Sequence, residues 1–327
     1  MTTLFHRRTF GVAAAAMLAV PGAALSQAQP DKAMRWVVPY PAGGITDAVT
    51  RLVSAKLSGT LERTIVVDNK PGANSIIGAE TVARAAPDGA TLLTVIAGHA
   101  ANATLYAGKL SFDPVRSFVP VSLMGIAPLV LTASKNFAPN DVRELIAYAK
   151  ANPGRVAFGS SGIGAAAHLT SEMFKQMTGT DMVHVPYKGS APAVQDLMSG
   201  QIQILIDSPS SMMPHVRAGK IKALAMLARE RLPAAAEVPT IVEAGGPPLE
   251  SATWMMALAP AGTSTETAKR LSQEISRIVL ETDVKDRFVE MAIIPAGWTP
   301  ERTSSFLSEE VVRWAGVIKQ AGVTLEL

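Results

Sequence analysis

One segment constrains the fold of this chain more than any other, because it predicts a strand, a tight turn and a helix in direct succession. The apolar run 36–38 is typical of a buried strand, and it stops at a turn that contains two prolines and two glycines. Apolar residues at helical spacing then predict a helix over 46–57. The free amides and the dipole of a helix N-terminus favour negative charge, so we expect this turn to hold one end of a small carboxylate.

The candidate contacts to the anion lie in and just after this turn, and they are Tyr40, Ala42, Gly43, Gly44 and Asp47. The two glycines have no Cβ, which allows a ligand to approach the backbone closely. Asp47 also has a simpler interpretation, because an acid at this position can cap its helix or balance the helix dipole. Junctions of this kind occur in many α/β proteins, and most of them bind nothing.

The second half of the chain repeats the arrangement. The run 156–158 leads into a glycine- and serine-rich turn at 159–164, which precedes a predicted helix over 165–177. Hydroxyl and backbone N–H groups at such a helix start suit a carboxylate, and the candidates here are Ser160, Ser161 and Gly162. Ordinary N-capping by serine is the alternative.

Strands and helices alternate along most of the chain, which predicts an α/β fold with mixed, mostly parallel sheets. No flexible linker separates the two halves, so we expect two lobes joined by crossing strands. We place the first lobe at 33–130 and 253–327 and the second at 131–252, with the C-terminal helices packed back on the first lobe. Ligands of such folds bind outside the carboxyl ends of the strands, which predicts a ligand cleft between the lobes.

Further candidates for the cleft follow other predicted strands. His99 comes after a strand end and either faces the cleft or turns away from it. Tyr187, close to Gly189, can stack on a ligand or donate its hydroxyl, and core packing is the alternative. Asp207 either binds an amino or hydroxyl group of the ligand or caps the following turn. His168, on the helix after the second turn, is expected to be a buried histidine rather than a base.

Composition excludes several classes of protein. The 327 residues are 48% hydrophobic and 17% charged, which is typical of a globular protein with a sizeable core. The net charge of +3 comes without a basic stripe, so we expect no nucleic-acid partner. The chain has no cysteine, and no two histidines are spaced i, i+4, so we expect no metal and no cofactor. Neither a G-x-S-x-G elbow nor a phosphate-binding loop is present, which favours a protein without catalytic activity.

The N-terminus predicts a secretory signal peptide over 1–28. A basic stretch at 6–8 precedes an apolar, alanine-rich segment at 9–25, and small residues that suit a cleavage site follow. An uncleaved membrane anchor is the alternative. No later segment is apolar over the length that spans a bilayer, so we expect an exported, soluble protein of the periplasm. The lack of cysteine also excludes a bacterial lipid anchor.

Five blocks of the sequence, in order over nearly the whole mature chain, match motifs of one known family. They are P-[FY]-x-x-G-G-x-x-D at 39–47, N-[KR]-P-G-A-x-x-x-x-G-A at 69–79, A-P-D-G-x-T-L at 86–92, H-[VI]-P-Y-[KR]-G at 184–189 and V-P-T-x-x-E-x-G at 238–245. Together they resemble the solute receptors of tripartite tricarboxylate transporters, also called the Bug family of extracytoplasmic binding proteins. Ala90, where the family often has tyrosine, and Ala42, where it has proline or glycine, are departures from its pattern.

This resemblance implies a two-lobed periplasmic binding protein fold of type II and a role in presenting a solute to a membrane permease. It also implies that the loops 40–47 and 160–164 grip a ligand carboxylate through backbone groups and ordered water. We therefore expect a monomeric receptor for a di- or tricarboxylate or an aromatic acid, with permease subunits as partners. An exported hydrolase that uses the same cleft and a solute sensor that docks to a signalling partner are the alternatives.

Overall fold

A computed structural model of the protein describes residues 33–325 and the single residue Thr2. The predicted signal peptide at 1–28 therefore lies outside the described residues, apart from Thr2. No helix in the described part of the chain is long and apolar enough to cross a membrane.

The first part of the described chain alternates strands and helices as predicted. Its elements are β1 (Met34–Val38), α1 (Ile45–Thr60), β2 (Ile65–Asn69), α2 (Ile76–Ala83), β3 (Thr91–Val95), α3 (Ala97–Leu105) and β4 (Phe118–Pro128), with a short 3₁₀ turn at Ala73–Ser75. Helix α3 has no counterpart in the sequence prediction. Its first six residues are all buried, so it lacks the one-sided apolar pattern that marks a surface helix.

The second part continues the alternation. Its elements are β5 (Val130–Ser134), α4 (Val142–Ala151), β6 (Val156–Ser160), α5 (Ala166–Thr178), β7 (Met182–Pro186), α6 (Ser190–Ser199), β8 (Ile204–Asp207), α7 (Pro209–Arg217) and β9 (Ile221–Met226). A 3₁₀ turn at Pro233–Ala235 follows. The last part contains β10 (Ala252–Pro260), α8 (Thr265–Val279), α9 (Thr282–Glu290), β11 (Ile294–Pro295) and α10 (Pro300–Ala321).

Strand β4 continues through Gly125, with a shift in its register against β10 next to this residue. A Cβ atom at this position would lie 2.5 Å from Cγ2 of Ile293. Glycine here therefore permits close packing against the neighbouring segment and does not end the strand.

The strands form two mixed sheets. Sheet A has six strands in the order β11-β4-β10-β3-β1-β2, and sheet B has five in the order β7-β6-β8-β5-β9. Parallel pairing joins β1 to β2 and β3, and β6 to β7 and β8. The remaining pairs are antiparallel. Strand β10 lies between β3 and β4 and runs antiparallel to both, and β5 does the same between β8 and β9. The predicted α/β class with mixed sheets is confirmed, but the sheets are not mostly parallel: four of the nine strand pairs in the described residues are parallel, because β10 and β5 each run antiparallel to both of their neighbours.

The chain passes between the sheets at the carboxyl ends of the parallel strands. Leu129 links the end of β4 to Val130, and Val130 pairs with Asp207 at the end of β8. The return to β10 runs beside the same point, because the Leu227 amide donates to the Leu129 carbonyl and the Leu129 amide donates to the Ser251 carbonyl, at 2.8 and 2.9 Å. The turns that follow β1 and β3 therefore face the turns that follow β6 and β8.

Apolar side chains cover both faces of each sheet. Neighbouring residues of β1 show the alternation, since Trp36 packs in the cluster with α1, α8 and α9, whereas Val37 packs with α2, α3 and α10. Trp36, Trp254 and Trp314 are almost completely buried, so all three pack in the core. Helices on both faces leave the strand ends as the place where backbone groups reach the surface.

Candidate ligand-binding site

The turns after β1 and β6 lie at the topological switch points of the two sheets. In sheet A the strands β2 and β3 flank β1, and in sheet B the strands β7 and β8 flank β6. The connections leave the central strand and its neighbour in opposite directions, which opens a crevice at the strand ends. Tyr40, Ser160 and Asp207 follow or end the strands that border these crevices, as the sequence predicts.

Asp47 is buried and fixes the shape of the first turn. Its Oδ2 atom accepts hydrogen bonds from the Gly43 amide and from Nε of Arg51, both at 2.9 Å. Its Oδ1 atom accepts a hydrogen bond from Nδ2 of Asn69 at 2.9 Å. Burial by itself would raise the pKa of Asp47, but these donors and the charge of Arg51 together lower it below its ordinary value. The carboxylate therefore stays ionised while it holds the turn.

The top of the first turn is open to a ligand. Ala42, Gly43 and Gly44 are exposed, and no heavy atom lies within 4 Å of the position that a Cβ on Gly43 would take. Gly43 has a φ of +83°, which favours glycine, whereas Gly44 is extended with a φ of −75°. Gly44 is the N-cap of α1, and no side chain caps this helix. The first amides of α1 thus remain available to an anion.

Tyr40 leads from the first turn toward a strained segment at 73–75. Burial raises the pKa of its hydroxyl to about 12, an effect that Ser75 and the backbone of Ile96 partly oppose. Ala73, Asn74 and Ser75 have φ angles of +45°, +53° and +72°. Each left-handed residue of this kind costs about 1–2 kcal/mol.

Two hydrogen bonds to the side chain of Asn102 hold this strained segment. The Asn74 side chain donates to Oδ1 of Asn102 at 2.6 Å, and the Asn102 side chain donates to the Asn74 carbonyl at 2.8 Å. Asn102 is buried in α3, so the segment is attached to a rigid helix. The strained conformation is therefore imposed by its surroundings.

His99 turns away from these turns. Its Nε2 atom is 2.8 Å from the Pro114 carbonyl, and its ring meets the Phe118 ring edge-on with centroids 5.4 Å apart. Burial lowers the pKa of His99 to about 4, although the Pro114 carbonyl opposes this shift. Of the two orientations that the sequence allows, the structure has the one in which the ring belongs to the core, because α3 is buried along its first half.

The second turn is held by backbone bonds to the turn that follows β7. The Tyr187 amide donates to the Ser160 carbonyl at 3.0 Å, and the Gly189 amide donates to the Ser161 carbonyl at 3.1 Å. Ser160 is completely buried, whereas Ser161 and Gly162 are partly exposed. The predicted residues of the second half, Gly189 included, are thus brought together at one edge of sheet B.

Ser160 and His184 form a close pair that is arranged for structure. The Ser160 hydroxyl lies 2.7 Å from Nε2 of His184, 3.1 Å from the Gly162 carbonyl and 3.3 Å from the Gly162 amide. One placement of hydrogens satisfies all three contacts: His184 Nε2–H donates to the hydroxyl, which donates to the carbonyl and accepts from the amide. In this placement the histidine cannot take the serine proton.

Two stacked histidines support the second turn from below. The rings of His168 and His184 are 3.8 Å apart at 9°, and Phe158 stacks against His184 at 4.9 Å. Nδ1 of His168 accepts the Gly164 amide at 3.1 Å, which requires the neutral ring. Burial lowers the pKa of His168 to about 3 and that of His184 to about 4, and the charge of Lys175 adds to both effects. His168 is thus a buried histidine, as predicted.

Tyr187 and Asp207 have partners within sheet B and its helices. The Tyr187 hydroxyl donates to Oδ2 of Asp196 at 2.7 Å, so this hydroxyl already has a partner in α6. Asp207 accepts the Ser190 hydroxyl and its neighbouring Ser208 amide, both at 2.6 Å. Burial raises the pKa of Asp207, although these donors oppose the shift. Asp207 holds the start of α6 beside the start of α7, and this corresponds to the capping alternative of the sequence.

Side chains and glycines of the two halves touch across the crevices. A Cβ on Gly164 would lie 2.2 Å from Cδ1 of Leu105 and 3.5 Å from Nδ2 of Asn74. A Cβ on Gly98 would lie 3.6 Å from Oδ1 of Asn74 and 3.9 Å from the Gly164 carbonyl. The second turn therefore meets the strained segment and α3 directly, and glycine is what allows this approach.

A separate groove of about 550 Å³ lies away from these turns and is a weaker candidate for an anion. It is lined by arginines whose charges are already paired. Arg229 pairs with Glu250, and Arg313 with Glu310, at N–O distances of 2.5 and 3.0 Å. Over residues 33–325, moreover, no group of three or more acidic or histidine side chains is placed to hold a metal ion.

Several supporting residues were missed by the sequence patterns. Arg51 follows Asp47 by four positions, a helical spacing that brings side chains together and that would have identified it. Asn69 and His184 begin two of the motif blocks, but neither they nor Asn102 has a spacing that indicates its partner. They meet their partners only through the pairing of strands and the packing of α3.

Known proteins are similar to this chain in sequence and in fold. A family model described as the receptor of the tripartite tricarboxylate transporter family matches residues 49–323. Rpa4515 of R. palustris, solved with adipate, is similar with a TM-score of 0.84 and 34% identity over 90% of this chain and 99% of that one. MatC of Rhodopseudomonas palustris, solved with bound malate, has a TM-score of 0.79 and 32% identity over 89% and 100% of the two chains.

The periplasmic binding protein BugD is also similar, with a TM-score of 0.80 and 32% identity over 90% of this chain and 99% of that one. These neighbours confirm the predicted periplasmic binding protein fold, and they are solute-binding receptors. Because the family model covers most of the chain and the five sequence blocks lie within or beside it, the protein belongs to the receptor family of the tripartite tricarboxylate transporters.

Proposed function

We propose that the protein captures a small carboxylate between its two sheets and delivers it to a tripartite tricarboxylate transporter. The observation that carries this proposal is the pair of glycine-rich turns, at 39–44 and 160–164, that face each other at the carboxyl edges of the sheets. Each turn precedes a helix without a side-chain cap. Their amides and dipoles favour an anion, and a carboxylate is small enough to contact both.

The ligand class is a di- or tricarboxylate or an aromatic acid. Rpa4515 with adipate and MatC with malate support the dicarboxylates, because both proteins have the same fold and about a third of their residues in common with this chain. The proposed contacts of the first turn are Tyr40, Ala42, Gly43 and Gly44, with Asp47 as their support. Those of the second turn are Ser161 and Gly162 with Gly189, supported by Ser160 and Asp207.

We propose that the two sheets form the cores of the two lobes predicted at 33–130 with 253–327 and at 131–252, with β5 beginning at Val130 and β10 at Ala252, each one residue outside these bounds. Within residues 33–325, the chain crosses between them twice, at Leu129 and through 227–251. Such a double link suits a hinge, and closure would bring the two turns onto one ligand.

The protein acts as a receptor without turnover. In the tautomer that satisfies all three contacts of the Ser160 hydroxyl, His184 donates to it, which gives a hydrolase no activated nucleophile at this site. We further propose that the signal peptide at 1–28 exports the chain to the periplasm, where a monomer docks to the permease subunits. A signalling partner in place of the permease is the second possibility.

Thermal unfolding of the mature chain from Gln29 would test the function. Protein unfolded and refolded to release any copurified ligand is heated with malate, adipate, citrate, benzoate, neutral amino acids or sugars. A ligand at ~100 times its dissociation constant adds about 2.7 kcal/mol to the free energy of unfolding, which raises the midpoint by several degrees.

A shift with carboxylates and recovery of the acid unchanged are the expected results. A shift with neutral sugars alone would overturn the anion argument, and conversion of the acid would favour the hydrolase. Copurification of permease subunits from membranes, against a receptor with its surface charges reversed, would separate the permease from the signalling partner.

A further inference from the structure

Two neighbouring hydroxyls near the first turn are buried without a hydrogen-bond partner. Within the described residues, the side-chain atoms in this condition include the hydroxyls of Tyr40 and Ser75. The Tyr40 hydroxyl lies beside the Ser75 hydroxyl and the backbone of Ile96, but neither contact has the geometry of a full hydrogen bond. Ser75 is only 3% exposed. Buried polar groups normally have hydrogen-bond partners. Two neighbouring hydroxyls without such a partner therefore indicate a place where a further group binds.

These hydroxyls lie at the switch point of sheet A. Tyr40 follows β1, and Ile96 follows β3, the strands between which the crevice opens. The start of α2 packs directly on the first turn, because a Cβ on Gly78 would lie 2.6 Å from Cβ of Pro39. Ser75 is thus next to the turn that we propose to hold the carboxylate.

The backbone presents the Ser75 hydroxyl together with a helix N-terminus. Ser75 is the N-cap of α2 in a left-handed conformation, and its side chain makes no capping bond. A serine at this position ordinarily caps its helix. Here its hydroxyl does not, and it is available for another hydrogen bond. The hydroxyls can donate hydrogen bonds and the helix end carries partial positive charge, a combination that suits a negatively charged oxygen.

The same segment faces the other half of the protein. Asn74 lies within 3.5 Å of the position that a Cβ on Gly164 would take. Ser75, which directly follows Asn74, is therefore close to the place where the second turn approaches the first.

We propose that Ser75 and Tyr40 form a subsite that donates hydrogen bonds to a carboxylate oxygen of the bound acid. The proposal rests on the proposed function and deepens it, because it adds Ser75 and α2 to the two glycine-rich turns. The subsite accepts an anionic oxygen and rejects an uncharged amide of the same shape, which is a weaker hydrogen-bond acceptor.

Ser75→Ala and Tyr40→Phe test the subsite. Each is compared with the wild type for the unfolding midpoint of the ligand-free protein and for affinity by calorimetry. The probe is whichever of malate, adipate, citrate and benzoate binds the wild type most tightly. A hydrogen bond to a charged group makes each variant roughly tenfold to a hundredfold weaker in affinity. The ligand-free midpoint stays the same or rises, because an unpaired buried hydroxyl is removed.

Matched controls are Ser272→Ala, a buried serine of α8, and Tyr148→Phe, a tyrosine of α4, and both keep wild-type affinity. Wild-type affinity in both subsite variants would overturn the subsite and leave the receptor function standing. A lower ligand-free midpoint with unchanged affinity would make the hydroxyls structural and overturn it as well. If the wild type binds none of the four acids, the proposed function fails and the subsite fails with it.

Discussion

Oδ2 of Asp47 accepts a hydrogen bond from the amide of Gly43 at 2.9 Å, across the turn that leads into α1. The bond explains why an acid stands in a turn that is proposed to bind an anion. Its charge is neutralised by Arg51, and its oxygens are occupied by Asn69 and by the turn itself. The acid therefore shapes the backbone, and the amides that it leaves free face the crevice.

Replacement of Asp47 by alanine should weaken carboxylate binding about tenfold or more, because the turn loses its tie to α1. The chain should still fold, at a cost of about 1–3 kcal/mol for the partners left unsatisfied. Calorimetry and urea unfolding measure the two effects. Asp113→Ala is the matched control, since Asp113 likewise accepts two backbone amides, of Val115 and Arg116. Unchanged affinity in Asp47→Ala would remove this residue from the site.

A side chain at position 44 should block the anion without disturbing the fold. Gly44 is extended, and the nearest atom to an added Cβ is the Pro41 carbonyl at 3.7 Å. Gly44→Val should therefore unfold near the wild-type midpoint and bind no carboxylate in the thermal-shift panel. Gly316→Val, where an added Cβ also meets open space, should bind normally. Normal binding by Gly44→Val would mean that the first turn does not hold the carboxylate.

The contact between Gly164 and Leu105 offers a test of closure. Gly164→Ala would place a Cβ 2.2 Å from Cδ1 of Leu105, so the second turn could not approach α3. We expect affinity to fall about tenfold or more, and Leu105→Ala in the same chain to restore part of it by removing the clash. The φ of +79° at Gly164 adds strain that the second substitution cannot relieve. A double variant no better than Gly164→Ala would assign the whole loss to that strain.

The buried histidines should make the protein less stable in mild acid. Burial lowers the pKa of His99 and His184 to about 4 and that of His168 to about 3. The pKa of a histidine in the unfolded chain is ~6.5. Below this pH the unfolded chain therefore binds protons that the buried histidines of the folded chain do not bind. The stabilisation is complete above about pH 6.5 and declines as the pH falls toward about 4.

Urea unfolding at about pH 7.5 and about pH 5 measures this loss, which is at most ~1.4 kcal/mol per pH unit for each histidine. His168→Asn should reduce the loss while keeping an acceptor for the Gly164 amide, and so should retain affinity. Ser171→Ala, a buried residue without charge on the same helix α5, is the control and should show the wild-type slope. Equal slopes for the wild type and His168→Asn would contradict the prediction.

The sequence by itself determined the order of strands and helices, the two glycine-rich turns and the family. These depend on local patterns: the run 36–38 predicts a strand, and Gly43 and Gly164 mark turns, whatever the chain does elsewhere. The five motif blocks are local as well. For the same reason the pattern failed at α3, where a helix buried along its first half has no polar side to reveal it.

The tertiary structure alone decided which side chains face the crevices. His99 follows a strand end as Tyr40 does, yet packing on Phe118 takes it into the core. His184 meets Ser160 only because β6 and β7 pair in one register. The hydroxyl of Ser75 lies beside the hydroxyl of Tyr40, although the two residues are 35 positions apart in the chain. Such meetings depend on strand register and on the crossings at Leu129, which residue spacing along the chain does not encode.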